Sequence, residues 1–280
     1  MKIALFPNPQ KKSSKSLAKG IIKFLQNNGV HVVIKDESAK ELDADPLSSL
    51  DPGEIDFLIS MGGDGTILNL VHKYPKLHAP ILGINLGSLG FLADVPIAQV
   101  YPALQDLIDG NYTVESRIMM DGKTSGNQAC FAVNEIVIHR SQNPSLVDLV
   151  IHVDGKYLNT FSADGMIIST PTGSTAYSLA AGGPILSPEL NAFVITPISP
   201  HTISNRPIVL MPKNNIKIQS LSSPNPVEVN FDGIAKSNLQ TGDLLHITKS
   251  PRTFQTINLP NHDYFLTLRT KLHWSGKIRP

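Results

Sequence analysis

The sequence predicts an α/β domain over residues 1–112, followed by a mostly β domain over 113–258. Short apolar runs alternate with amphipathic stretches in the first part, and glycine-rich loops follow several of the runs. After Tyr112 the helical periodicity gives way to brief runs rich in β-branched and aromatic residues, separated by turn residues. Alternating strands and helices build a parallel sheet whose carboxyl edge carries the ligand loops. Closely spaced short strands build an antiparallel sandwich.

The elements of the first part follow in order. Lys2–Phe6 reads as a strand, and Pro7-Asn8-Pro9 turns the chain at its end. Ser16–Asn28 is amphipathic, and Gly29 stands where a left-handed residue closes a helix. Val30–Ile34 is the next strand, followed by a polar stretch to Gly53. Ile55–Met61 is a buried strand that stops at Gly62-Gly63-Asp64-Gly65-Thr66. A helical pattern from Ile67 to Tyr74 then ends at Pro75. Ala79–Asn85 is a strand, Gly87–Leu92 a second glycine loop, and Ile97–Ile108 a helix that Gly110 closes.

In the second part, β-type runs span Ala129–His139, Leu146–Val153, Met166–Thr170, Phe193–Ile198, Ile216–Leu221, Val227–Phe231 and Leu244–Thr248. Val153-Asp154-Gly155-Lys156-Tyr157 carries a hairpin signal. The clear helical candidate is Ser174–Ala181, and Tyr264–Trp274 fits either a strand or a short helix.

With 24 basic and 23 acidic residues, net charge is +1, which argues against nucleic acid or an anionic membrane as a bulk partner. No apolar run approaches a membrane-spanning length, and Met1 leads directly into a strand without a signal-peptide core. The single cysteine, Cys130, excludes an internal disulfide and reads as a buried strand residue. A cytoplasmic location is the expectation. The histidines lack zinc-ligand spacing, so no fixed metal site is expected.

The loop Gly62-Gly63-Asp64-Gly65-Thr66 is the centre of the chain. Between a strand and a helix, glycines let the backbone approach an anion, and the helix start offers unpaired N–H groups. Gly62, Gly63, Gly65 and Thr66 are therefore candidate phosphate contacts. A carboxylate repels phosphate, so Asp64 points to chemistry: metal binding, or a base taking a proton from a hydroxyl. A plain tight turn needs less than this concentration of residues. Neither the Walker A nor the dinucleotide fingerprint fits the spacing.

Two further groups stand out. Asp164–Ser178 runs from a β segment through Thr170-Pro171-Thr172-Gly173-Ser174-Thr175 into a helix. With Ser169 the loop has five hydroxyl residues, which exceed what a helix cap requires and suit phosphate, ribose or amide groups, and Tyr177 offers an aromatic face. Asn134-Glu135 interrupts an apolar run. Buried there, they need polar partners from a ligand, unless the strand bulges or ends at that point. Asp232-Gly233 reads as a plain turn, and His201 as a loop histidine.

These motifs resemble, in order, those of the NAD kinases. The resemblance includes Gly83–Leu92, Gly182-Gly183-Pro184 and Pro200–Pro207 and covers nearly the whole chain. The glycine-aspartate loop alone is shared with lipid kinases, whereas Thr170–Ser178 is far more specific. The resemblance implies a Rossmann-like N-terminal domain, a β-rich sandwich-like C-terminal domain, and a segment 259–280 returning to the first. It implies transfer of the ATP γ-phosphoryl group to the 2′-hydroxyl of the adenosine ribose of NAD, giving NADP. Asp64 would accept the hydroxyl proton, with Gly65 beside it. Asn134 and Glu135 would hold the adenine and ribose end, and Ser162 and Asp164 the nicotinamide end. Thr175, Ala176, Tyr177, Ser178, Leu179 and Ala180 would line the dinucleotide.

A divalent metal, magnesium delivered with ATP, and a homodimer or homotetramer are implied as well. Ser162 stands where many members carry a basic residue, as does Asn69, and Ile234 where some carry glutamine. Two other readings compete. A lipid kinase would want an apolar cavity or a basic amphipathic helix, which is not evident. A dinucleotide-binding regulator without turnover has no need of Asp64.

Overall fold

The computed structural model describes residues 1–126, 128–202, 204–211, 215–221, 225–260, 263–274 and 276, excepting the side chains of residues 12 and 13. Ile203 of the 200–207 stretch, and 261, 262, 275 and 277–280 of the C-terminal segment, lie outside the described residues. Two units share the chain: Met1–Glu115 with Gln255–Pro280, and Ser116–Phe254.

The first unit is a parallel sheet with helices. Strand β1 (Lys2–Pro7) leads to helix α1 (Lys12–Asn27), β2 (His31–Ile34), α2 (Asp36–Leu42) and β3 (Asp45–Pro46). Then come β4 (Phe57–Gly62), α3 (Asp64–Lys73), β5 (Ile81–Asn85), β6 (Val95–Pro96) and α4 (Val100–Asp109). The pairings β3–β2–β1–β4–β5–β6 are all parallel. Thr256 adds a parallel pairing opposite Ile81.

The helices bury one stripe each. In α1 it is Ala18, Ile21, Ile22 and Leu25; in α4 it is Val100, Ala103, Leu104 and Leu107. Both follow the i, i+3, i+4, i+7 spacing that puts side chains on one helix face. These stripes meet Ile3, Leu5, Ile59, Leu82 and Ile84 of the sheet in one core. Every residue of β4 is buried, as a parallel strand covered on both faces must be. Gly29 and Gly110 take φ of 74° and 79°, the left-handed conformation that ends α1 and α4.

Some boundaries depart from the periodicity. Helix α1 begins at Lys12, four residues before Ser16, because the polar turn preceding the apolar stripe is helical too. The polar stretch before Gly53 contains α2, whose buried residues are only Ala39 and Leu42. Ile97–Gln99 is a 3₁₀ turn rather than the start of α4. The ambiguous C-terminal stretch is helix: the Asp263 carboxylate accepts the Phe265 N–H at 2.9 Å and caps a helix over Tyr264–Lys271.

The second unit is antiparallel. Its strands are β7 (Thr113–Thr124), β8 (Ala129–Ala132), β9 (Glu135–His139), β10 (Val147–Val153), β11 (Lys156–Ala163) and β12 (Gly165–Ser169). After helix α5 (Tyr177–Ala180) come β13 (Phe193–Ile198), β14 (Ile208–Leu210), β15 (Ile216–Ser220), β16 (Val227–Phe231), β17 (Ala235–Leu239) and β18 (Leu244–Asn258). One sheet has the order β14-β13-β12-β9-β16-β17, and β11-β10-β15-β18 form another run. Met166 and Ile168 face the main core with Phe193, Phe231 and Ile136, while Ile167 faces a smaller cluster with Val137 and Ile198. That alternation is the period of two of a strand buried on both sides.

Asp154 and Gly155, at φ 52° and 76°, make the β10–β11 hairpin. The run expected as one strand over Ala129–His139 is two. Strand β8 pairs with β7, and β9 pairs with β12 and β16. Cys130 is only partly buried in β8. The helix expected over Ser174–Ala181 is a 3₁₀ turn, Thr172–Thr175, followed by the single turn α5.

Candidate functional site

In the first unit the site is built where β4 ends. Asp64 opens α3, and its carboxylate accepts three backbone N–H groups: Phe91 to Oδ2 at 2.9 Å, and Leu92 and Ala93 to Oδ1 at 3.0 and 2.9 Å. Those donors lie at the end of the second glycine loop and the residue that follows it. Two glycines bring them into reach. A Cβ on Gly83 would overlap the Leu92 carbonyl and lie 2.7 Å from Ala93 Cα, so the bare glycine lets this segment lie against β5. A Cβ on Gly90 would overlap Asp64 Oδ1 itself. A carboxylate offers about four lone-pair sites, and three are taken. Among the described residues Oδ2 receives only the Phe91 N–H, which leaves it room to accept from a hydroxyl.

The glycine loop is held by Thr66. Its hydroxyl accepts from the Gly63 N–H at 3.3 Å and from Asn8 Nδ2 at 3.2 Å. A Cβ on Gly62 would overlap that hydroxyl, so glycine is required there. Among the described residues nothing lies within 4 Å of a Cβ on Gly63 or Gly65. Both border open space, as backbone that approaches an anion would. Asn69 Nδ2 donates to the Gly65 carbonyl at 2.7 Å.

In the second unit the break between β8 and β9 makes the site. The Asp232 carboxylate accepts three consecutive N–H groups: Val133 at 2.7 Å, Asn134 at 2.8 Å and Glu135 at 3.0 Å. Asp232 takes φ 53° to do so. The residue expected as a plain turn thus fixes Asn134 and Glu135, through a contact 97 residues long in sequence. Thr170 clamps the same segment from the other side. Its hydroxyl donates to the Val133 carbonyl at 2.6 Å and its N–H to the Asn134 carbonyl at 2.8 Å. A Cβ on Gly173 would collide with the Asn134 carbonyl.

Held in this way, Asn134 Oδ1 and Glu135 Oε2 are buried with no hydrogen-bond partner among the described residues, as is Thr172 Oγ1. Buried polar atoms of native proteins are nearly always paired, so three orphans in one neighbourhood of the chain suit a polar ligand. Burial, and then the Asp232 charge, push the Glu135 carboxyl up to about 8. At neutral pH it keeps its proton and is a hydrogen-bond donor.

The remaining sequence candidates differ in what they present. Asp164 Oδ1 pairs with Arg140 Nε at 2.9 Å, a partner the spacing did not reveal. Ser162 donates its hydroxyl to Asp148 Oδ1. Tyr177 and Ala180 are exposed, and Thr175, Ala176 and Leu179 are intermediate. The Ser178 hydroxyl is buried against Thr196 Oγ1 at 3.0 Å. Ser174 Oγ donates to the Pro171 carbonyl and accepts the Leu186 N–H. Several hydroxyls of the loop therefore brace it rather than face outward.

Among the described residues no three His, Cys, Asp or Glu side chains converge to hold a metal. No helix among the described residues is long and apolar enough to cross a membrane.

Comparison with known proteins agrees with the motifs. Residues 3–112 match the ATP-NAD kinase N-terminal domain, and residues 133–259 the ATP-NAD kinase C-terminal domain. The NAD kinase of Protochlamydia amoebophila is 59% identical over 277 residues, covering 99% of both chains. That of Geotalea daltonii is 37% identical over 285 residues, again with 99% of both covered. Among solved structures, yeast NADH kinase complexed with NADH aligns at a TM-score of 0.85 with 27% identity, covering 100% of this chain and 89% of that one. An Archaeoglobus fulgidus NAD kinase in complex with ATP aligns at 0.76 with 26% identity, covering 99% and 100%. With both of the family's domains matched and relatives similar from end to end, the chain belongs to the NAD kinase family.

Proposed function

We propose that this NAD kinase, which makes NADP from NAD and ATP, uses Asp64 as the base that takes the proton from the 2′-hydroxyl of the adenosine ribose. The supporting observation is the carboxylate's fixed geometry: three amides orient it, and Oδ2 keeps room for one more donor. A ribose hydroxyl is a poor acid, so a positioned base helps as the new O–P bond forms and the O–H bond breaks. The γ-phosphoryl group goes to the ribose oxygen, ADP leaves, and Asp64 holds the proton until solvent takes it. Gly62, Gly63, Gly65 and Thr66 supply the phosphate-facing backbone. A divalent cation carried on the ATP phosphates, magnesium by preference, supplies charge neutralisation.

In the second unit, Asn134 and protonated Glu135 bind the adenosine end of NAD. Their unpartnered oxygen atoms and the Glu135 proton are complementary to amine and hydroxyl groups. Asp164, oriented by Arg140, serves the nicotinamide end, with Ser162 nearby in sequence. Tyr177 offers its exposed ring, and Thr175, Ala176, Ser178, Leu179 and Ala180 form the wall. The division of labour places the α/β part at 1–112, the dinucleotide-binding part at 113–258 and the returning segment at 259–280. We further expect a cytoplasmic homodimer or homotetramer, as the family resemblance implies.

The deciding experiment is NADP formation from NAD, ATP and magnesium, with Asp64→Asn beside the wild type. Asparagine keeps the size but sets an amine against the Phe91 N–H or the Leu92 and Ala93 pair. Turnover should fall by about 10²–10⁴ while NAD still binds. Near-normal turnover in the variant would overturn the base role.

A further inference from the structure

We infer that Lys35 and Lys73 form the cradle for the polyphosphate chain of the phosphoryl donor. The inference rests on the kinase reading above and names the residues that serve its second substrate. A cavity of 460 Å³ opens beside the glycine loop, lined by Gly63, Gly65, Thr66 and Asn69 and by both lysines. Thr66, Asn69, Leu70 and Lys73 are one stripe of α3, at i, i+3, i+4 and i+7, so the cavity runs along the helix from its first turn to its last. Lys35 enters from the carboxyl end of β2, the edge where parallel sheets place their ligands.

The cavity has a one-sided charge. Among the described residues none that line it is acidic and two are lysines, although both lysines also border a neighbouring cavity lined by Asp36 and Glu37. Lys35 is half-buried. Burial and the neighbouring Lys73 charge both work against its ammonium form, and Glu37 offsets only part of that effect. Holding two like charges together beside a partly desolvated lysine is unfavourable without an anion between them. A linear polyphosphate provides that anion. Its terminal phosphoryl group would lie at Gly63 and Gly65, with the inner phosphates toward the lysines. The contacts are point charges and do not depend on the nucleoside.

The test uses the full chain with Lys35→Gln, Lys73→Gln, the double variant, and the arginine variants at both positions. Steady-state kinetics would separate the KM for ATP from the KM for NAD. Calorimetry with inorganic triphosphate would measure the cradle without turnover. Each glutamine variant should raise the ATP KM by about tenfold or more, the usual weight of a hydrogen bond to a charged group. The NAD KM should stay within about twofold, triphosphate affinity should fall in parallel, and arginine should restore most of both. Unchanged ATP KM and triphosphate affinity in a folded double variant would overturn the assignment. Were the wild type to make no NADP, the kinase reading would fall, and the triphosphate measurement would still decide the cradle.

Discussion

Asp64 Oδ1 fills the space that a side chain at Gly90 would need: a Cβ there would overlap Oδ1 and lie 2.9 Å from Asp64 Cγ. The carboxylate and the loop that supplies its N–H donors are therefore fitted to each other at one glycine. Gly90→Ala should displace the carboxylate from the Leu92 and Ala93 amides. We expect kcat to fall at least about tenfold with the NAD KM little changed, and stability to drop by about 1–3 kcal/mol for the overpacking. Kinetics and urea unfolding would check both, and wild-type kcat would mean that the loop relaxes without disturbing Asp64.

Glu135 makes stability depend on pH. Its carboxyl is raised from 4.5 to about 8 in the folded chain, so between those values the native state binds a proton that the unfolded state has lost. Stability should thus be full below the unfolded value and decline as pH rises toward about 8, by on the order of a few kcal/mol. Glu135→Gln keeps a neutral donor and should flatten this decline. Urea midpoints of both proteins at pH 5 and pH 9 would show it; parallel slopes would remove Glu135 from the account.

Asp232→Asn should loosen the segment that carries Asn134 and Glu135. An amide can satisfy only part of a site built for three N–H donors, at a cost of about 1–3 kcal/mol. Removing its charge should also lower the Glu135 pKa, though not to the ordinary carboxylate range, because burial is the larger cause. A pH titration of the Glu135 carboxyl by NMR would report the shift, and an unmoved titration would contradict the coupling.

Arg140 orients Asp164 through its Nε and braces the following turn by donating to the Asn143 and Pro144 carbonyls. The pair is about one-third exposed, so Arg140→Ala should cost only about 1 kcal/mol of stability. If Asp164 serves the dinucleotide, the NAD KM should rise severalfold while the ATP KM holds. Equal changes in both would point to general loosening.

Asp64 and its glycine loop were legible because strand, glycine turn and helix are contiguous, and each announces itself within a few residues. The apolar stripes of α1 and α4 were legible for the same reason. Asn134-Glu135 marks its place in Ala129–His139 as either a ligand contact or a strand end, and β8 and β9 do part there; what holds the break was not legible. What ends β8 is the Asp232 carboxylate, brought from far along the chain. Asp-Gly signals a turn by local propensity, and nothing local says what the carboxylate will bind. Nor does local sequence show that the Ser174 hydroxyl accepts the Leu186 N–H or that the Ser178 hydroxyl lies against Thr196 Oγ1.

By itself the sequence determined the order of elements, the α/β-then-β grammar, the place of Asp64 in a glycine loop between strand and helix, and the family resemblance, because these depend on residue type and short spacing. Only the tertiary structure decided that Phe91, Leu92 and Ala93 hold Asp64, that Asp232 and Thr170 hold Asn134 and Glu135, that Arg140 meets Asp164, and that Lys35 shares a cavity with Lys73. Each of these joins residues distant in the chain. Pairing of that kind is set by which backbones can approach one another, and here by the missing side chains of Gly83, Gly90 and Gly173.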